Sequence, residues 1–215
     1  VPPERAPDVP ADLAGLLDQL FLRTHKRVYL AAARSGQVVI PLALGRQGMP
    51  RIPGLGARIG ENAHALALGK VALSLLDGRA LARYLSRPLR TFTPLTITDP
   101  GALAEQLDEI RAGGVAYDCE EFREDFSCLA VPVRNTRGRA VAALGISMSA
   151  RAFELEREPL SEALRDVAEQ AAALLQGAPV PAISENAAVL EPPVRPSLRS
   201  GQPAVPVSTG EEATP

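Results

Sequence analysis

The sequence predicts an α+β domain with a mainly antiparallel sheet flanked by helices, followed by a disordered C-terminal tail. Period-two apolar patterns occur in two groups, and each group contains a turn signal, at residues 35–36 and 135–138. Helical patterns lie between these groups, whereas a doubly wound parallel sheet would alternate single strands with helices. Proline is concentrated at the ends of the chain, with four in residues 1–10 and eight in residues 178–215.

The first half of the predicted domain opens with an amphipathic helix. Its apolar residues recur at helical spacing and are Leu13, Leu16, Leu17, Leu20 and Phe21. Alternating patterns then predict two strands, and a stretch rich in glycine and proline predicts a long loop before two further helices. The predicted elements are a helix over 12–21, strands over 28–33 and 37–44, a loop over 45–60, and helices over 65–76 and 79–85. We expect Leu68, Ala72, Leu75 and Leu76 to share one face of the helix over 65–76.

The second half contains a helix, three strands and a long closing helix. Asp99 is a suitable N-cap with Pro100 at the first helical position, and Gly113 and Gly114 end that helix. Strands are predicted over 115–120, 127–134 and 139–148. The closing helix has one narrow apolar face, made of Leu160, Leu164, Val167, Ala171 and Leu174.

Composition limits the classes of function. The domain is expected over 12–177, between a Pro-rich segment (1–11) and a tail (178–215) with too few large apolar residues to fold. A net charge of −2 gives no reason to expect nucleic-acid binding, and no apolar run is long enough to span a membrane. Two cysteines make no disulfide framework, so we expect a cytoplasmic protein.

The start of the helix over 65–76 is one candidate site. A phosphate-binding P-loop is excluded, because His64 stands where its first glycine is needed and Val71 stands where its hydroxyl is needed. Small residues surround the start of the helix, and two interpretations remain open. Either free amides at the helix N-terminus hold an anion, or the small residues only let the helix approach the sheet closely.

A second candidate lies on one face of the sheet. If the last three strands neighbour each other as hairpins would, alternation places Asp118, Cys128, Gly145 and Ser147 on the same face. Small and polar groups of this kind line ligand sites, since they leave volume and orient the ligand. The alternative is that Cys128 is a small buried apolar residue and Asp118 an ordinary charge at a strand end.

Two sharper hypotheses for these residues fail. A nucleophilic set of Cys128, His64 and Asp118 lacks any activating signature around the cysteine. Zinc binding by the same residues lacks ligands at the usual spacing. We therefore predict no catalytic residue, no metal and no cofactor, and expect that the chain is not an enzyme.

Taken together, the motifs resemble the effector-binding domain of the IclR family of bacterial transcription regulators over about residues 12–176. The matching segments, in order, are 64–74, 92–99, 111–121, 128–133 and 137–139. The resemblance implies a GAF-like domain that forms a homodimer or homotetramer and binds a small organic or aromatic acid. It assigns the effector to the main-chain amides of Ala67 and Leu68 and to the side chains of Asp118, Cys128 and Ser147.

Two departures from the family pattern bear on the pocket. Gly145 stands where a serine can occur, which removes one hydroxyl contact from the implied ligand site. Leu66 stands where threonine or serine is usual, and with Leu68 it predicts a tighter or more apolar pocket.

The family carries a winged helix ahead of this domain, and that module needs roughly sixty residues. About eleven residues precede the first predicted helix here. We therefore expect the chain to reach DNA only through a winged-helix domain that is absent from this sequence. The alternative is a stand-alone ligand-binding or protein-interaction module without a DNA-linked function.

Overall fold

Six antiparallel strands form one sheet in the computed structural model, which describes residues 4–5, 9–34, 37–52 and 62–175. The strands are β1 (Glu4–Arg5), β2 (Arg27–Arg34), β3 (Gln37–Leu44), β4 (Ala116–Cys119), β5 (Ser127–Arg134) and β6 (Ala140–Met148). Their order across the sheet is β1-β3-β2-β6-β5-β4. This arrangement confirms the predicted α+β class.

Five α-helices flank the sheet in the described part of the chain. They are α1 (Ala11–Thr24), α2 (Ala67–Ser74), α3 (Gly78–Leu85), α4 (Pro100–Arg111) and α5 (Ala150–Leu174), and a short 3-10 helix (Ala63–Ala65) precedes α2. Helix α4 begins as predicted, since the Asp99 carboxylate accepts a hydrogen bond from the Ala102 N–H at 2.7 Å. Asp77 and Ser149 cap α3 and α5 in the same way.

The two faces of the sheet bury different layers. Helices α1 and α5 cover one face, against residues such as Leu129, Leu144 and Ile146. Helices α2 and α4 cover the other face, on which the strands present the smaller residues Cys128 and Ala130. Helix α3 packs against this layer through the partly buried Leu81, Tyr84 and Leu85. The alternation of large and small residues along β5 and β6 therefore assigns one face to a dense core and leaves the other for α2.

Several predicted boundaries and faces differ from the structure. Leu174 was expected on the apolar face of α5 but is 40% exposed, and Leu175 is buried instead at 4%, because the helical repeat of 3.6 residues carries the apolar stripe one position further. Leu75 is also 40% exposed, since α2 ends at Ser74. The predicted turn at 35–36, the loop beyond Ile52 and the tail over 178–215 lie outside the described residues.

In the part of the chain that the structure describes, no helix is long and apolar enough to cross a membrane.

Helix α2 packs closely on the 3-10 helix before it, and Gly69 makes this contact possible. A Cβ atom at Gly69 would lie 2.8 Å from the carbonyl carbon of Ala63, a backbone atom that cannot move aside alone. The close packing of the start of α2 on the 3-10 helix therefore requires a residue without a side chain at position 69.

We expect Gly69→Ala to lower the free energy of unfolding by about 1–3 kcal/mol, because the methyl group overpacks the contact with Ala63. Gly15→Ala is the matched control. It lies inside α1 with no atom within 4 Å of the added Cβ, and should stabilise the chain by roughly 0.5–1 kcal/mol. Urea denaturation of both variants measures the difference, and equal effects would contradict the contact at Gly69.

Candidate functional site

The first turn of α2 presents three buried amide donors. Leu66 is extended (φ −122°, ψ 132°) and gives the helix no side-chain cap. Within the described residues, no atom accepts a hydrogen bond from the N–H of Ala67, Leu68 or Gly69, and the first bonded amide is that of Lys70, to the Leu66 carbonyl oxygen. Unpaired donors at a helix N-terminus, together with the helix dipole, form a binding geometry for an anion.

The extended Leu66 separates α2 from the 3-10 helix, where the sequence predicted one continuous helix from residue 65. This break turns the first amides of α2 away from an intrahelical partner. The close packing at Gly69 is against Ala63 of the 3-10 helix rather than against the sheet, and the unpaired amides occur in the same turn. Both interpretations of the small residues therefore stay open.

The sheet beneath α2 brings the predicted polar residues into one row. Asp118 pairs with Cys128, and Cys128 pairs with Ser147, across β4, β5 and β6. Gly145 lies two residues along β6, paired with Ala130 on one side and Tyr29 on the other. The shared face that alternation predicted is present, and α2 packs on β4, β5 and β6 above it.

The Asp118 side chain is fully buried, and only one of its two carboxyl oxygens accepts hydrogen bonds. Its Oδ1 atom accepts hydrogen bonds from the N–H groups of Glu121 at 2.9 Å and Phe122 at 3.3 Å, while Oδ2 has no partner among the described residues. Burial, with a smaller contribution from the Glu121 carboxylate, raises the pKa of Asp118 to about 7. The carboxyl group can therefore act near neutral pH as an acceptor or, when protonated, as a donor through Oδ2.

Cys128 is buried, and burial raises the pKa of its thiol well above the usual value. The thiol is therefore neutral and suited to packing or weak hydrogen bonding rather than to nucleophilic attack.

Ser147 is engaged in a chain of hydrogen bonds that sequence reasoning did not predict. The Ile52 N–H donates to the Tyr29 hydroxyl at 3.0 Å, and the Tyr29 and Ser147 hydroxyl oxygens lie 3.1 Å apart. The Ser147 hydroxyl donates to the Pro50 carbonyl oxygen at 2.7 Å. Because a carbonyl oxygen only accepts, the Tyr29 hydroxyl must donate to Ser147. The pair ties residues 50–52 to the sheet face. Alternation in β2 could have revealed Tyr29, which lies opposite Val28 and Leu30.

Lys70 is a second residue whose role the sequence did not predict. Its side chain is fully buried, and its ammonium group donates to the Glu121 carboxylate at 2.6 Å, the Tyr117 carbonyl at 2.8 Å and the Gln106 side chain at 2.9 Å. Each of the three N–H groups thus has an acceptor. The network joins α2 to α4, to β4, which carries both Tyr117 and Asp118, and to Glu121 just after that strand. The only sequence signal was a single lysine in an apolar helix.

His64 serves the architecture of this region. Its Nδ1 atom lies 3.0 Å from the Tyr84 hydroxyl, and Nε2 lies 2.9 Å from the Arg90 carbonyl oxygen, to which it must donate. Burial lowers the pKa of the imidazole. Both ring nitrogens are therefore engaged away from Cys128 and Asp118. Within the described residues, no three His, Cys, Asp or Glu side chains cluster as metal ligands would.

Comparison with known proteins shows that the chain is similar to the C-terminal part of bacterial transcription regulators. A family model described as bacterial transcriptional regulator IclR C-terminal matches residues 6–173. The p-hydroxybenzoate hydroxylase transcriptional activator of Acinetobacter baylyi is 36% identical over 112 residues, covering 49% of this chain and 41% of the relative. The HTH-type transcriptional regulator XynR of Escherichia coli is 33% identical over 164 residues, covering 73% of this chain and 64% of the relative. The chain thus spans less than two thirds of either protein.

A solved structure shares both the fold and part of the sequence. It is the inducer-binding domain of the transcription factor PobR from Acinetobacter, a double mutant in complex with 3-hydroxybenzoic acid. Its TM-score is 0.62 at 27% identity, and the match covers 77% of this chain and 98% of that one.

We expect Lys70→Met to destabilise the chain by about 3–5 kcal/mol, because it leaves the Glu121 carboxylate buried without its cation. Lys26→Met is the matched control, since Lys26 pairs with the partly exposed Glu156 at 2.8 Å and should contribute about 0–1 kcal/mol. Urea denaturation compares them. Similar losses in the two variants would show that the Lys70 network is not a structural requirement.

The raised pKa of Asp118 predicts a pH-dependent stability. Between about pH 3.8 and about pH 7, the folded chain keeps a proton on the Asp118 carboxyl that the unfolded chain has released. The free energy of unfolding therefore falls as the pH rises through this window. Asp118→Asn removes the ionisation and keeps an Oδ1 acceptor. We expect the free energy of unfolding of the variant, relative to the parent chain, to rise by up to about 1.4 kcal/mol per pH unit across the window.

Asp18→Asn, at an exposed position of α1, is the control and should follow the parent chain at every pH. Denaturation at pH 4.5 to 8 gives the curves. A constant difference between Asp118→Asn and the parent chain would contradict the assigned pKa.

Proposed function

Since the chain belongs to the family of C-terminal domains of IclR bacterial transcriptional regulators, we propose that it binds a small organic acid as the effector of such a regulator. The observation that carries the proposal is the set of three buried amides at the start of α2 without acceptors. A buried donor without a partner costs about 1–3 kcal/mol, so an anion that accepts these hydrogen bonds gains their full energy.

In this proposal, the effector carboxylate accepts hydrogen bonds from the Ala67 and Leu68 amides. In the same proposal, the Oδ2 atom of Asp118 and the thiol of Cys128 face the ligand from the sheet. Ser147 lines the same face, and its hydroxyl is held in place by the hydrogen bond with Tyr29. The complex of the PobR domain with 3-hydroxybenzoic acid supports an acid as the class of ligand.

Asp118 makes the proposed binding dependent on pH. When the carboxyl is protonated, its Oδ2–H can donate to the bound anion, whereas the ionised form repels it. Because burial raises the pKa of Asp118 to about 7, we propose that affinity for a carboxylate falls as the pH rises above neutrality.

The remaining parts of the function concern the whole regulator. We propose that the domain forms a homodimer or homotetramer and reaches DNA only through a winged-helix domain outside this sequence. An effector with different affinities for two arrangements of the subunits would then shift the population that binds DNA. A cytoplasmic location and the absence of enzymatic activity complete the proposal.

The test is binding of acetate, lactate, benzoate and 3-hydroxybenzoate, measured by thermal shift and calorimetry on the whole chain. An acid at 100 times its dissociation constant should stabilise the fold by about 2.7 kcal/mol, which corresponds to roughly 5–10 °C in Tm. If none of the four acids binds, the proposed acid-sensing function is wrong.

We expect Cys128→Leu to abolish acid binding while the chain still folds, because the larger side chain fills the space beside Asp118. Cys119→Leu is the matched control, since Cys119 is exposed on β4 and should leave affinity unchanged. Calorimetry measures affinity, and circular dichroism verifies the fold. Full affinity in a folded Cys128→Leu variant would exclude Cys128 from the site.

A further inference from the structure

The side chain of Leu68 lies directly on the backbone of Gly145. A Cβ atom at Gly145 would lie 3.0 Å from Cδ2, 3.1 Å from Cγ and 3.3 Å from Cδ1 of Leu68. Contacts this close show that the leucine occupies the volume that any side chain at position 145 would take. Leu68 is 3% exposed, so its side chain is enclosed between α2 and the sheet.

Leu68 therefore has two parts with different consequences for a ligand. Its N–H is one of the unpaired amides at the start of α2, and its isobutyl group covers the sheet at the neighbouring row. The polar row of Asp118, Cys128 and Ser147 begins two residues further along β6. The Leu68 side chain thus limits the space next to the Leu68 N–H.

An apolar cleft lies along Leu68 toward the far end of α2. Leu68 is part of its wall, and the cleft is otherwise lined by small or aliphatic residues, among them Ala31, Val71, Ala72, Leu75 and Ala143. Because Leu68 borders both the unpaired amides and this cleft, its side chain stands between the polar site and an apolar volume of about 30 Å³. The cleft alone holds no more than a water molecule, so space for a ring requires the volume of the Leu68 side chain as well.

We propose that Leu68, seated on Gly145, is the size-selecting residue of the acid site, and that it restricts the effector to short aliphatic acids. This inference rests on the proposed function. An aromatic acid whose carboxylate binds the α2 amides needs space for its ring, and the apolar space beyond is closed by the Leu68 side chain. A short acid needs no such space and can reach Asp118 and Cys128.

The test compares lactate with 3-hydroxybenzoate, two hydroxy acids that differ in size, by calorimetry on the whole chain. We expect the parent chain to bind lactate more tightly. Leu68→Ala retains the backbone amide and opens the site to the cleft, and it should shift the affinity ratio toward 3-hydroxybenzoate by about tenfold or more. Leu68→Val should shift the ratio in the same direction by less, and guards against a folding defect in the alanine variant.

Two further variants make the result specific. Leu68→Ala combined with Gly145→Ala places a methyl group in the opened volume and should reverse part of the shift. Leu75→Ala changes an exposed residue of the same cleft and should leave the ratio as in the parent chain.

The outcomes separate this inference from the proposed function. Binding of lactate with an unchanged ratio in the folded Leu68 variants overturns the selection by Leu68 and leaves acid sensing intact. Tighter binding of 3-hydroxybenzoate than of lactate by the parent chain does the same. Binding of neither acid to any variant overturns the selection by Leu68, and if acetate and benzoate also fail to bind, acid sensing is overturned as well.

Discussion

The buried ammonium group of Lys70 is the interaction on which the rest of the site depends. A lysine without solvent is tolerated only when its charge and each of its hydrogens find partners, and here the three partners belong to three segments of the chain. Any rotation or translation of α2 would break at least one of them. The network therefore fixes the position of α2 relative to β4 and the segment after it, and with it the distance between the α2 amides and the Asp118 carboxyl.

Small residues then decide how closely α2 approaches its neighbours. Gly69 lets the helix contact the backbone of Ala63, and Gly145 lets Leu68 rest on β6. Both contacts are possible only because glycine has no side chain. Each contact therefore limits the size of the residue at the glycine position and the position of its partner. A larger residue at position 145 would require a smaller one at position 68, which couples the floor of the site to its helical wall.

Local patterns in the sequence predicted the strands, the capping of α4 and the face shared by Asp118, Cys128, Gly145 and Ser147. Such features depend on periodicity and on neighbours within a few residues. The hydrogen bonds of Lys70 and of the Tyr29 hydroxyl join residues far apart in the sequence. A periodic pattern along the chain does not indicate which distant side chains are in contact. The boundary of α2 was missed for a related reason, because the extended Leu66 interrupts a run of good helix formers. Whether the predicted site residues bind an effector stays a prediction.

The unpaired groups of the site have a consequence for signalling. Within the described residues, three amides of α2 and the carboxyl oxygens Asp118 Oδ2 and Glu121 Oε2 are buried without partners, and each lowers the stability of the chain when no ligand is bound. A bound acid that satisfies them stabilises only the arrangement in which α2 stands over the polar row. In the proposed function, the differential affinity that a regulator needs would arise from these unmade hydrogen bonds rather than from a large new contact surface. Because burial raises the pKa of Asp118 to about 7, the proposed site would take up a proton together with the effector acid above neutral pH.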